Sequence, residues 1–420
     1  MRHCKRTLLI LTVTATAGCY DQVIVPDFET DGRIAITNDE ATLDARVSYP
    51  HENVPIAPTP MAAGGMAMAP ARAPSSIDLT LLAEVLPPTV GPSVVQATSV
   101  WATSDNKAVV SYNQVGAVAL GALDYFIQLG NKTPKLKSSL TFLDSDVNSV
   151  FTDGTSVFSA VATSDLAFAT PAVLEKVTLS GSNFSLAGNV RVDIESFAAT
   201  STMSTGSYVY ATSGDGGGVY AFDAGSLALV GQYPLDDARW VAWDQPNGRI
   251  VVLQGTPGRL AVFEEGSFPG GSMTLLNTWL VTGVDVPESK STVQVAGSKA
   301  FVAAGPDGVQ VVCLDDGQTV GSVPRPDPGS LGLPSSVVVT NAVTVQGDLM
   351  FISNGEAGVY AAAAPQSFET SACTAPQSIS TLGRLQFGNL QSANHVVYRN
   401  DMLFVAAGLG GLKVVEVDLN

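Results

Sequence analysis

Residues 291–311 read STVQVAGSKAFVAAGPDGVQV, residues 341–361 NAVTVQGDLMFISNGEAGVYA, and residues 394–414 NHVVYRNDMLFVAAGLGGLKV. Each stretch has an apolar strand, a polar turn, a second apolar strand, then Gly-x-x-Gly and a third strand opening with Val or Leu. A looser copy, RIVVLQGTPGRLAV, covers residues 249–262. The glycine pairs are Gly255/Gly258, Gly305/Gly308, Gly355/Gly358 and Gly408/Gly411, and Gly214 to Gly218 in YATSGDGGGVYA is the same turn with one residue added. Successive copies start about 41 to 53 residues apart, the length of a propeller blade.

The units extend back toward the N-terminus. A strand at Ala108-VVSY precedes the glycines of NQVGAVALGALDYF, and Asn148-SVFTDGTSVFSAVAT carries Phe158 in register with Phe301, Phe351 and Phe404. With Tyr208-VYATSG and Ile250-VVLQG the count reaches seven units of about 49 residues each. The reading is therefore all-β: a single β-propeller of seven four-stranded blades. The degenerate first two units leave six or eight open. Fourth strands are visible at Leu227-ALVGQY, Met273-TLLNTW, Gln318-TVGSV and Leu382-GRLQF, but the last unit ends at Leu412-KVVEVDLN without one. Ile77-DLTLLAEVL is an orphan strand at the other end. Pairing it antiparallel to the third strand of the last blade, as its outermost member, would close the ring and cover both open edges. Removing residues 77–86 is then expected to destabilise the domain strongly, and removing 20–70 to leave its melting unchanged.

Composition suits this architecture. Hydrophobic content is 45% and charged content only 14%, with 40 glycines, as expected of short strands buried on both faces. The net charge is −17, and without residues 1–18 the chain keeps 18 basic against 38 acidic residues, a net of −20. Nucleic acid is excluded as a partner by that charge.

The N-terminus reads as an address. Met1-RHCKR is basic, Thr7-LLILTVTAT is a short apolar run, and Thr16-Ala-Gly-Cys19 follows. Small residues ahead of a cysteine here resemble the lipobox of bacterial lipoproteins, although Thr16 stands where Leu is usual. The alternative is an ordinary secretory signal with a chance cysteine. Residues 1–18 are read as the signal, 19–76 as a lipidated N-terminus and flexible tether rich in Pro, Ala and Met, and 77–420 as the propeller. Tyr20 after the cysteine implies, by the same resemblance, the outer membrane.

Ala406-AGLGGLKVVEVD, Phe301-VAAGPDGVQVV and Phe351-ISNGEAGVY resemble the LVIVD repeat, well over about residues 240–420 and faintly over 95–200. The resemblance implies an exported bacterial propeller and carries no catalytic residues. WD and kelch patterns are absent, and four tryptophans are too few for quinoprotein docking repeats.

Chemistry is sparse. After export two histidines remain, His51 in the tether and His395 in the last unit, too few for a His-rich metal centre. A Ser-His-Asp triad would need His395, and no serine sits in Gly-x-Ser-x-Gly. Asp144-x-Asp146-x-Asn148 has the oxygen spacing of a calcium loop, without its sixth-position glycine or closing glutamate, and reads as a polar turn. Neither a metal nor a cofactor is expected. Cys313 and Cys373, in neighbouring units of an exported chain, form either a disulfide or buried free thiols.

One candidate surface comes from register. Ten residues before the shared Phe lie Asn148, Ser291, Asn341 and Asn394, with Arg239 and Trp240 at that place in the fourth unit and His395 beside Asn394. These residues enter the inner strands and ring one mouth of the channel, where they hold a polar ligand or simply form the turns. The expected function is a monomeric, lipid-anchored cell-envelope propeller that binds or scaffolds a protein or glycan partner. The alternative is an exported hydrolase or lyase with its site at the channel mouth.

Overall fold

The computed structural model describes residues 28–58, 76–116, 118–287, 289–388 and 392–419. Seven antiparallel sheets form a seven-bladed propeller. Blade 1 runs from Gln96–Ala102 to Lys135–Phe142, blade 2 from Ser145–Thr152 to Asn183–Asp193, and blade 3 from Ala199–Ser204 to Leu229–Pro234. Blades 4 to 6 begin at Ala238–Asp244, Val293–Ala296 and Ala342–Gln346 and end at Leu275–Leu280, Thr319–Val323 and Ser380–Leu385.

Blade 7 is assembled from both ends of the described chain. His395–Arg399, Met402–Ala406 and Leu412–Leu419 supply three strands, and Ile77–Val85 supplies the fourth. That strand pairs antiparallel along its whole length, from Leu412 opposite Val85 to Leu419 opposite Ile77. It is not the outermost member: Val47–Ser48 and Glu52–Asn53 pair with its free side.

The repeated residues now have physical roles. The shared phenylalanines lie on second strands, fully buried, and share a core cluster with the second strand of the following blade: Phe301 with Met350 and Ile352, Phe351 with Leu403 and Val405, Phe404 with Ala108 and Val110. In blades 5 and 7 the second glycine of the turn makes room for the fourth strand. A Cβ at Gly308 would run into the carbonyl oxygen of Val323, and one at Gly411 into that of Val85. Both glycines hold positive φ, +80° and +69°, which side chains rarely adopt.

The N-terminal segment departs from the flexible tether read in the sequence. Phe28–Thr30 and Ile34–Thr37 form a hairpin on the outer edge of blade 1, and Ile56–Ala57 extends blade 6. Between them, Asp39 caps the short helix Glu40–Asp44 by accepting from the Thr42 N–H at 2.8 Å. Ile34, Ile36, Leu43 and Val54 are buried, and Arg46 reaches the fully buried Asp124 with bonds of 3.0 and 2.5 Å. Arg33 joins Asp144 and the buried Glu175, whose carboxyl is pushed up by burial despite that partner. Residues 28–57 are thus a strap over blades 1, 7 and 6. Cys19 and residues 59–75 lie outside the described residues.

Cys313 and Cys373 form a disulfide, Cα atoms 5.1 Å apart. It ties the third strand of blade 5 to the connection before the fourth strand of blade 6.

Candidate functional site

The inner strands all begin at one mouth of the channel, and there each blade reaches for the next. Thr98 Oγ1 donates to Val147 O at 2.9 Å, Asn148 Nδ2 to Ala199 O at 2.9 Å, and Thr200 Oγ1 to Ala238 O at 2.6 Å. Arg239 donates to Val286 O and Ser289 O at 2.8 and 3.2 Å, and Ser289 Oγ to Thr340 O at 3.0 Å. Asn341 Nδ2 to Ala393 O at 3.4 Å and Asn394 Nδ2 to Ala97 O at 2.8 Å return the series to blade 1. Seven side-chain latches therefore close a ring, one per blade boundary. Each adds a side-chain hydrogen bond to a backbone carbonyl of the next blade, worth about 1 kcal/mol.

This ring changes what the register-matched residues do. The structure brings Asn148, Arg239, Asn341 and Asn394 together at the mouth, but their donors are engaged within the protein. Their amide oxygens are occupied too: Asn341 Oδ1 accepts from the Lys290 backbone N–H at 3.2 Å, and Asn394 Oδ1 from Ser392 Oγ at 3.0 Å. Ser291 is fully buried beneath the ring, donating to Ser289 Oγ at 3.0 Å. The exposed chemistry of the mouth lies elsewhere. A cleft of about 880 Å3 is lined by Asp215, Asp236, Asp237 and Asp285, with Phe197 at its edge, 61% exposed. Asp237 pairs with Arg239 at 3.0 Å, and Asp236 accepts from the Gly216 N–H at 2.7 Å.

Lys290 closes the floor of that cleft. It precedes the inner strand of blade 5, yet its Nζ donates to Thr98 O at 2.8 Å and Asn148 O at 2.6 Å, on blades 1 and 2. The side chain thus crosses the channel as a bar. Its Nζ also stands 5.5 Å from the centroid of the Trp240 ring. No carboxylate pairs with it among the described residues, and burial pushes its pKa down to about 7.

Trp240 and His395 do not stand at the mouth, as the sequence suggested. They face a second chamber of about 540 Å3 toward the other end of the channel, which also takes Trp101, Phe151, Met203, Trp243 and Tyr398. The reason is strand geometry. Arg239 and Trp240, like Asn394 and His395, are neighbours on a strand, so their side chains diverge and the second sits about 3.3 Å further in. The Trp240 and His395 rings stack with centroids 5.1 Å apart. Burial, reinforced by the Lys290 charge, holds the His395 pKa well below its ordinary value. Its Nδ1 accepts from the Val100 N–H at 3.4 Å, so this ring is no part of a serine triad.

The calcium-like triplet also separates. Asp144 pairs with Arg33 and Arg191, Asp146 accepts from the N–H groups of Gln114 and Leu120, and Asn148 is a latch. Asp144 lies in the bend between the strands Lys135–Phe142 and Ser145–Thr152, and Asp146 and Asn148 lie on the second of them. Sequence reasoning missed Lys290, one residue before the register position in the fifth unit. It also missed the aromatic chamber, although three of the four tryptophans converge there.

No family model matches this chain, and no curated protein matches it in sequence. Solved structures are similar in fold. The WD40 β-propeller domain of Doa1 is 9% identical with a TM-score of 0.51, covering 79% of this chain and 96% of that one. A computationally designed protein, Ika8, is 11% identical with a TM-score of 0.47, covering 88% and 98%. At 9% identity the likeness to the Doa1 domain extends to the propeller fold alone.

Proposed function

We propose that this chain is an exported, lipid-anchored propeller of the LVIVD type in a bacterial envelope, held at the outer membrane. It binds a protein or glycan partner at the carboxylate-lined mouth. The observation that carries the binding reading is the cleft itself. Four aspartates and an exposed phenylalanine line about 880 Å3, while the amides beneath are engaged by the latches. Such a site suits a partner that presents a basic group beside an apolar or sugar face. Attachment through Cys19 rests on the basic, apolar and small-residue succession before it.

The tests are separable. Cys19→Ser should move the protein out of the membrane fraction and abolish metabolic lipid labelling; membrane retention together with an unlabelled wild type refutes the anchor. For the mouth, Asp215→Asn with Asp285→Asn should weaken retention of the partner captured from envelope extracts by wild-type protein. Unchanged capture would move the binding surface elsewhere. The alternative of an exported enzyme gains nothing from His395, which lies below the Lys290 bar in the second chamber.

A further inference from the structure

The second chamber differs in kind from the mouth. Trp101 from blade 1, Phe151 from blade 2, Met203 from blade 3, Trp240 and Trp243 from blade 4 and Tyr398 from blade 7 all border one space of about 540 Å3. Trp101 and Phe151 already lie against each other with centroids 4.5 Å apart, and Trp240 against His395 at 5.1 Å. A propeller leaves a central channel open, but a stretch of it lined so heavily by aromatic side chains has the usual form of a small-molecule site.

The polar groups of the wall narrow the ligand. Gln294 is engaged at both ends, donating to Val345 O at 2.9 Å and accepting from the Val345 N–H at 3.0 Å. Thr344 Oγ1 accepts from the Tyr398 N–H at 3.0 Å. Beside the indole N–H groups of Trp101 and Trp240, His395 offers a directed group from the last blade. With Nδ1 accepting from Val100, the neutral imidazole carries its proton on Nε2 and is a donor there.

Charge narrows it further. Glu369 and Arg399 border the chamber, and Lys290 lies over the Trp240 ring with its Nζ bonded to two carbonyls. A cation would meet that ammonium. An anion would find the one guanidinium of the wall, Arg399, already donating to the Ala102 carbonyl at 3.4 Å. The surface fits an uncharged ligand held chiefly by ring stacking.

We propose that this chamber binds a flat, uncharged, fused-ring molecule bearing a single carbonyl or ring-nitrogen acceptor, its faces against the chamber's tryptophans and its acceptor on Nε2–H of His395. The site is separated from the mouth by Lys290, so it operates independently of any partner docked there.

Acridone, a three-ring ketone, and carbazole, a flat three-ring compound without the carbonyl, are suitable probes for titration of the full chain by tryptophan quenching and ligand anisotropy. Acridone should bind saturably at one site. His395→Phe keeps a ring in the wall and removes the donor: acridone should weaken about tenfold, as loss of one hydrogen bond implies, with carbazole unchanged. Trp240→Ala should weaken both probes at least tenfold. If that variant melts early, Met203→Phe, which fills the chamber rather than emptying it, should also exclude both. Asp215→Asn at the mouth should alter neither. Non-saturable acridone binding overturns the site, as does binding indifferent to both Met203→Phe and Trp240→Ala. Equal weakening of the two probes by His395→Phe overturns the donor role.

Discussion

Two segments of the N-terminal region contact the same blade by opposite physics. Ile77–Val85 is an apolar strand that docks through backbone pairing, eight residues of blade 7 facing it in register. Residues 28–57 pair only in short pieces and are fixed by buried charges, Arg46 with Asp124 and Arg33 with Glu175. The first supplies hydrogen-bonding groups that any strand would supply. The second depends on particular side chains meeting acids contributed by blades 1 and 2. Edge closure is generic, whereas strapping is specific to this chain.

Deleting residues 77–86 should therefore have the largest effect. It exposes the edge of Leu412–Leu419, removes Leu79, Leu81 and Val85 from the core, and should leave no cooperatively folded domain by circular dichroism. A two-state melt near the wild-type temperature would break the contrast. Next, Arg46→Met should cost about 3–5 kcal/mol in denaturant unfolding, because Asp124 remains buried without its cation. Adding Asp124→Leu should recover most of that loss; no recovery would mean that the strap is held by packing instead.

The latches sharpen the comparison at smaller scale. Asn394, on the C-terminal part of blade 7, reaches blade 1 and so links the two ends of the described chain, whereas Asn148 links blades 2 and 3, which follow one another without a seam. Each change to Ala should cost about 1–2 kcal/mol. A much smaller loss at Asn394 would show that the seam opens before global unfolding. The last effect concerns pH. Lys290 titrates near pH 7 when folded but near 10.5 when unfolded, so above pH 7 the unfolded chain holds more protons. Stability should then rise with pH between about 7 and 10.5, by at most about 1.4 kcal/mol per unit and less where water screens the amine. Guanidinium titrations at pH 7, 8 and 9 should show this slope in the wild type and a flatter one in Lys290→Met. His395 acts in the same direction: its folded pKa is lowered, so stability falls as pH drops below the ordinary histidine range.

The seam strand was legible because the glycine motif implies it. Gly411 leaves space for a carbonyl just as Gly308 does, and the orphan strand beginning at Ile77 was available to provide one. The strap was not legible. Its buried residues Ile34, Ile36, Leu43 and Val54 are scattered among charges, and its anchoring acids lie about 80 to 140 residues away. At the mouth, register located Asn148, Asn341 and Asn394 but not their use. A donor ten residues before a buried Phe looks the same whether its acceptor is a ligand or the carbonyl of the next blade.

The sequence by itself determined the repeat, the glycine turns, the inter-blade phenylalanines and the closure of the ring, because each depends on contacts between equivalent positions of neighbouring copies. Tertiary structure alone decided which side of the Lys290 bar each inner-strand residue faces and that three tryptophans share one chamber. It also decided which acids the strap arginines neutralise. Those outcomes depend on residues from non-equivalent copies meeting across a closed circle, and a repeat does not encode distances across its own ring.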